Sequence, residues 1–167
     1  MTLDMPMDRI GIPEAEKESI SITHQDTGSN YRIIRVSPND VKAIWPHVKH
    51  HVDRCNEHSE GELTTQDFYN ALIRREMQLW LAVDETIKAT MITQIITYPQ
   101  KKILRIIAIA GDDMNEWLPN LPLIEEWALS IGCSALECWG RKGWTKVLED
   151  WKCSYYVLTK DLKSRMH

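Results

Sequence analysis

Several groups of residues have types and spacings that could do chemistry. His47, His51 and Cys55 recur at i, i+4 and i+8, so on a helix they share one face, with His50 and His58 close by. That donor set can hold zinc. The flanking Asp53, Arg54 and Glu57 favour the plainer reading of a solvated polar face, and no metal is expected. Gly111 is followed by Asp112, Asp113 and later Glu116, an acidic connection after an apolar run. Gly140-Arg141-Lys142-Gly143-Trp144 sets two cations beside an aromatic ring. Arg141 and Lys142 either hold a phosphate or an acidic partner segment, or neutralise Asp112 and Asp113 across a cleft. Tyr155 and Tyr156 are adjacent in a β-prone stretch, where alternation sends one of them to the core.

The elements that must position these groups centre on residues 102–144. KILRIIAIAG is a run of Ile, Leu and Ala closed by Gly111, which predicts a fully buried strand. A helix is expected from about Asn120 to Ile131, ending at Gly132, a good left-handed cap. A short strand from Ser134 to Trp139 follows. Strand, crossover helix and strand make a βαβ unit with parallel neighbours. Ligands in such sheets sit outside the carboxyl ends of the strands, here Gly111 and Gly140.

Upstream, YRIIRV (31–36) reads as a first strand. Ser37-Pro38-Asn39-Asp40 supplies an N-cap, a proline for the first turn and a helix-starting acid. The helix behind it carries Val41, Ile44, Trp45, Val48 and Val52 on one stripe. Thr64-Thr65-Gln66-Asp67 starts a second helix that buries Phe68, Leu72 and Ile73. Then the period changes to two. MQLWLAVD, TIKATMITQIITYPQ and the core strand, joined by short turns, form an antiparallel meander. After Gly140 a short helix from Trp144 to about Asp150 and a last strand, SYYVLTKDL, complete the order β-α-α-β-β-β-α-β-α-β. Residues 1–30, punctuated by Pro, Gly, Ser, Asp and Glu, read as a flexible N-terminal arm to a single domain over 31–167, with SISIT a weak strand signal.

Composition narrows the function classes. The 167 residues suffice for one domain with a real core but not for two ordinary ones. With 43% apolar and 26% charged residues the chain is of the soluble globular class. The net charge of −4 argues against a nucleic-acid module. No apolar run approaches the roughly 18 residues that span a bilayer. The acidic start lacks an apolar signal core, and the scattered Cys55, Cys133, Cys138 and Cys153 read as reduced thiols, so a cytoplasmic setting is expected. Seven Trp against one Phe is unusual. Core filling accounts for it, with a partner-binding surface as the sharper alternative.

The order of elements resembles the GNAT superfamily of acyl-CoA-dependent N-acetyltransferases over roughly Tyr31 to Leu162. The stretches TMITQIITYPQKKILRI, IAGDDMNEW and GRKGWTKVLEDW are similar to those of small GNAT-like proteins encoded by tailed bacteriophages. The resemblance implies an α/β fold in which an antiparallel meander leads into a parallel βαβ pair flanked by helices. It also implies an acetyl-CoA site in the wedge between the strands Ile103–Ala110 and Ser134–Trp139. There the backbone of Ile107, Ala108 and Ile109 would pair with pantetheine, and Gly111 and Arg141 would lie at the phosphates.

The superfamily's pyrophosphate loop, Arg or Gln-x-x-Gly-x-Gly or Ala, is represented by Gly111 alone. Asp112 and Asp113 stand where phosphates should, and like charges at close range cost about 1 kcal/mol even in a water-like dielectric. Pro119 and Pro122 delete N–H donors from the next helix start. The family's strand base is replaced by Arg105, which cannot accept a proton. The expected function is therefore that of a GNAT-like protein, virion-associated or host-directed, which binds another protein and does not catalyse. An acetyl-CoA-dependent N-acetyltransferase with an atypical phosphate loop is the alternative. The expected setting is the host cytoplasm or the virion, with no membrane and no nucleic acid as partner.

Overall fold

The computed structural model of the chain describes residues 31–112 and 118–163. The arm, SISIT, Asp113 and Glu116 lie outside the described residues. Strands β1 (Arg32–Val36), β2 (Gln78–Val83), β3 (Ile87–Thr97), β4 (Lys102–Gly111) and β5 (Ala135–Cys138) form one sheet in the order β1-β2-β3-β4-β5. The first four are antiparallel neighbours; β5 joins β4 in parallel. This is the α/β class and mixed sheet read from the sequence.

Helices cover both faces. On one side α1 (Val41–Asn56) and α2 (Thr65–Ile73) bury Val41, Ile44, Val48, Phe68 and Leu72 against Ile34, Leu79, Leu81 and Ile92. On the other, α3 (Leu121–Ser130) sets Leu121, Leu123, Ile124 and Ala128 against Ile33, Trp80, Met91 and Leu104. Alternation along the central strands explains the division, since neighbouring residues such as Leu79 and Trp80 face opposite layers. Trp80 is 1% exposed and donates its indole N–H to Thr93 Oγ1 at 3.0 Å; that hydroxyl donates to Gln78 Oε1 at 2.9 Å. The Trp80 ring also meets Trp127 of α3 in a T-shaped pair, 5.1 Å between centroids.

Local signals settle the helix ends. Ser37 accepts from the Asn39 N–H and caps a 3-10 turn, Pro38–Asp40, that runs into α1. Thr64 and Asp67 form a reciprocal capping box at the start of α2. Gly132 adopts φ +88°, the left-handed conformation expected after α3. No helix among the described residues is long and apolar enough to cross a membrane.

Four expectations are corrected. Residues 142–146 form a 3-10 turn in place of a helix over 144–150. SYYVLTKDL makes no strand and pairs with no edge of its own sheet; Tyr155 and Tyr156 are 90% and 87% exposed, so neither is core. Ile73, the last residue of α2, is exposed, and Ala71 takes its place in the core. The His51–Cys55 face is not solvated. Both residues extend the buried stripe 41, 44, 48 at alternating steps of three and four, which turns them toward the sheet.

Candidate functional site

β4 and β5 are paired only from Ile103↔Ala135 to Ile106↔Cys138. β4 then runs on for five residues, from Ile107 to Gly111, with no partner on that edge among the described residues. A register shift accompanies the parting: Ile92 faces Ala108 while Thr93 faces Ile106, so Ile107 is the extra residue of a bulge. An opening at the carboxyl ends of two parallel strands is where ligands enter such sheets. Of the sequence-predicted residues, Ala108 is buried, Ile107 and Ile109 are half-buried, and all three line β4 where β5 has departed. Arg141 is exposed after β5, and its carbonyl accepts from the Trp144 N–H at 2.9 Å.

Side chains from the end of α1 occupy this opening. Arg54 donates to the Gly111 carbonyl at 3.0 Å and pairs with Asp112 at 3.7 Å. The Cys55 thiol stands beside the Ile109 backbone. Ile109 and Gly111 are two residues apart, so their backbone groups point to the same side of the strand. Asp112, one step out of phase, instead donates its N–H to the Lys88 carbonyl of β3 at 2.8 Å. Of the backbone groups of β4 that face away from β3 here, the Gly111 carbonyl is thus engaged by α1. Asp112 finds its cation in Arg54, not in Arg141 or Lys142.

Gly111 has a packing reason of its own. A Cβ there would stand 2.4 Å from the Ala89 Cβ and 2.5 Å from the Lys88 carbonyl oxygen. Its missing side chain lets β4 close against β3, whether or not a phosphate ever approaches. Pro122 occupies the first turn of α3, where helix donors would otherwise face an anion.

His51 and Cys55, the groups of α1 nearest the opening that burial shifts, are poorly matched to proton transfer. His51 is 2% exposed, and its Nδ1 shares a hydrogen bond of 2.7 Å with Thr90 Oγ1. Burial first, then His50 and Arg54, push it down to about 4 against the opposing pull of Asp112. It is neutral at physiological pH but a weak base. Burial raises the Cys55 thiol, which the Ile109 backbone and Arg54 only partly offset, so little thiolate forms. Glu137 is held by Arg105 at 2.6 Å and accepts from the Trp139 indole at 3.0 Å. Among the described residues no cluster of three or more His, Cys, Asp or Glu is gathered for a metal. Sequence reasoning missed Arg54, Thr90 and Glu137; the step-of-three-and-four stripe through His51 and Cys55 was the available signal.

No family model and no curated protein matches the chain. Solved structures do. An aminoglycoside acetyltransferase from an uncultured soil metagenomic sample, in complex with sisomicin, aligns at a TM-score of 0.59 and 10% identity, over 81% of this chain and 97% of its own. A Trypanosoma brucei acetyltransferase aligns at 0.56 and 13%, over 79% and 99%. At such identities the similarity is one of fold. The chain has the fold of GNAT-type acetyltransferases.

Proposed function

We propose that this chain is a GNAT-fold protein that works by binding another protein and not by acyl transfer, as a phage-type virion-associated or host-directed factor. The observation that carries the reading is the occupied edge of β4. Arg54 already holds the Gly111 carbonyl where the phosphates would lie, and Cys55 stands beside the Ile109 backbone that a pantetheine arm would pair with. Two further facts support it. Asp112 stands at the carboxyl end of β4, and the buried His51 beside the opening is pushed down to about 4, too weak a base to deprotonate an amine well. The test is thermal unfolding with and without acetyl-CoA. A ligand at 100 times its dissociation constant stabilises by about 2.7 kcal/mol, which moves a domain of this size by several degrees. No shift is expected.

One observation favours the second reading, an acetyl-CoA-dependent N-acetyltransferase. The bulge at Ile107 and the parting of β4 from β5 leave a wedge of the kind the resemblance implies. On that reading Arg54 releases Gly111 and meets the pyrophosphate, and the Arg54→Ala variant loses the thermal shift that the native chain shows.

A further inference from the structure

The chain from Lys152 to Lys163 has no secondary structure and is exposed at every residue. It nevertheless carries the composition of a strand. Tyr155, Tyr156, Val157 and Leu158 are 90%, 87%, 63% and 90% exposed, and Leu162 is 88% exposed. Aromatic and β-branched residues are costly to leave in water and pair well on a pleated surface. The same molecule has a matching vacancy. β5 is the last strand of the sheet, and among the described residues its outer edge has no partner. Trp139, just beyond β5, is 66% exposed, with its ring 4.4 Å from the Arg105 guanidinium of β4. An unpaired edge is a template for strand addition.

We infer that residues 154–162 of one copy add as a strand to the free edge of β5 in a second copy, and that the exchange is reciprocal. The occupant is a second copy because each chain carries both the donor segment and the acceptor edge. Two copies then satisfy each other about a two-fold axis and leave neither part over. The areas are of the right size. The two tyrosines alone offer about 300–500 Å². With Val157, Leu158, Leu162 and the covered edge, each copy approaches the roughly 800 Å² per partner of a stable interface. The tail is free to leave its own domain because its last packed residues are Leu148 and Trp151, which hold to the α3 side of the core. This pairing does not depend on whether acyl-CoA binds.

The experiment is light scattering on the full chain across micromolar concentrations, beside the double variant Tyr156→Asp with Leu158→Asp and a chain ending at Cys153. The full chain is expected at twice the monomer mass. Both altered chains are expected at the monomer mass with unchanged circular dichroism, and a peptide of residues 154–163 should bind the shortened chain. A monomeric full chain, whether its tail is free or folded onto its own sheet, overturns the inference. So does a dimer that survives loss of the tail, or an open-ended series of larger assemblies. If the aspartate variant does not fold, the shortened chain alone decides.

Discussion

The guanidinium of Arg54, on the last turn of α1, donates to the carbonyl oxygen of Gly111 at the end of β4 across 3.0 Å, and the same side chain pairs with Asp112 at 3.7 Å. One residue further along α1, Cys55 stands beside the backbone of Ile109. Helix and strand edge therefore close on each other where the sheet parts. Both charged partners are about half exposed or more, so the ion pair itself adds little. A double-mutant cycle over Arg54→Ala and Asp112→Ala is expected to give a coupling of about 0.2–1 kcal/mol. A coupling several times larger would mean that the pair clamps the fold and does not merely cover the edge.

Gly111 separates two explanations of one residue. If it serves packing, Gly111→Ala should destabilise the domain by about 1–3 kcal/mol, read from the denaturant midpoint, because Ala89 and the Lys88 carbonyl leave no room for a methyl group. An unchanged midpoint would return the glycine to the role of a relic of phosphate binding.

Much of this architecture is legible in residue order. The apolar run closed by Gly111, the Gly132 cap and the helix start at Thr64–Asp67 each act through neighbours a few residues away, and each formed where read, although the strand alternates between buried and half-buried residues and is not fully buried. The segment 154–162 failed for the opposite reason. A strand requires pairing with an edge elsewhere in the fold, and propensity carries no information on whether that pairing is made. The cover on β4 was hidden in the same way, since Arg54 and Gly111 meet across 57 positions of sequence. His51 and Cys55 were readable in principle; their polar side chains disguised a stripe whose spacing was apolar.

His51 makes stability depend on pH. Its folded value of about 4 lies below its ordinary 6.5, so between those values the unfolded chain binds the extra proton. Stability from this group is full above about 6.5 and is lost as the pH falls toward 4, by roughly 3 kcal/mol at about 1.4 kcal/mol per unit. Urea unfolding of the native chain should steepen in that window, and His51→Leu should flatten it. Equal pH slopes for the two chains would show that His51 is not the buried neutral group described.

The Trp80–Thr93–Gln78 chain of hydrogen bonds lies in the centre of the sheet, with Thr93 fully buried. Thr93→Val keeps the shape and removes the hydroxyl, leaving the Trp80 N–H without its acceptor. The expected cost is about 1–3 kcal/mol by chemical denaturation. A neutral result would mean that the indole finds another partner.

A closed β4 edge predicts that the unmodified chain takes up no acyl-CoA. Isothermal calorimetry of the full chain with acetyl-CoA at near-millimolar concentration measures this directly, beside Asp112→Gly, which removes a carboxylate and frees Arg54 to meet a phosphate. The native chain is predicted to give no binding heat and the variant a weak, measurable one. Micromolar binding by the native chain, about 8 kcal/mol of affinity, would contradict the closed-edge reading and make this protein an acetyltransferase candidate.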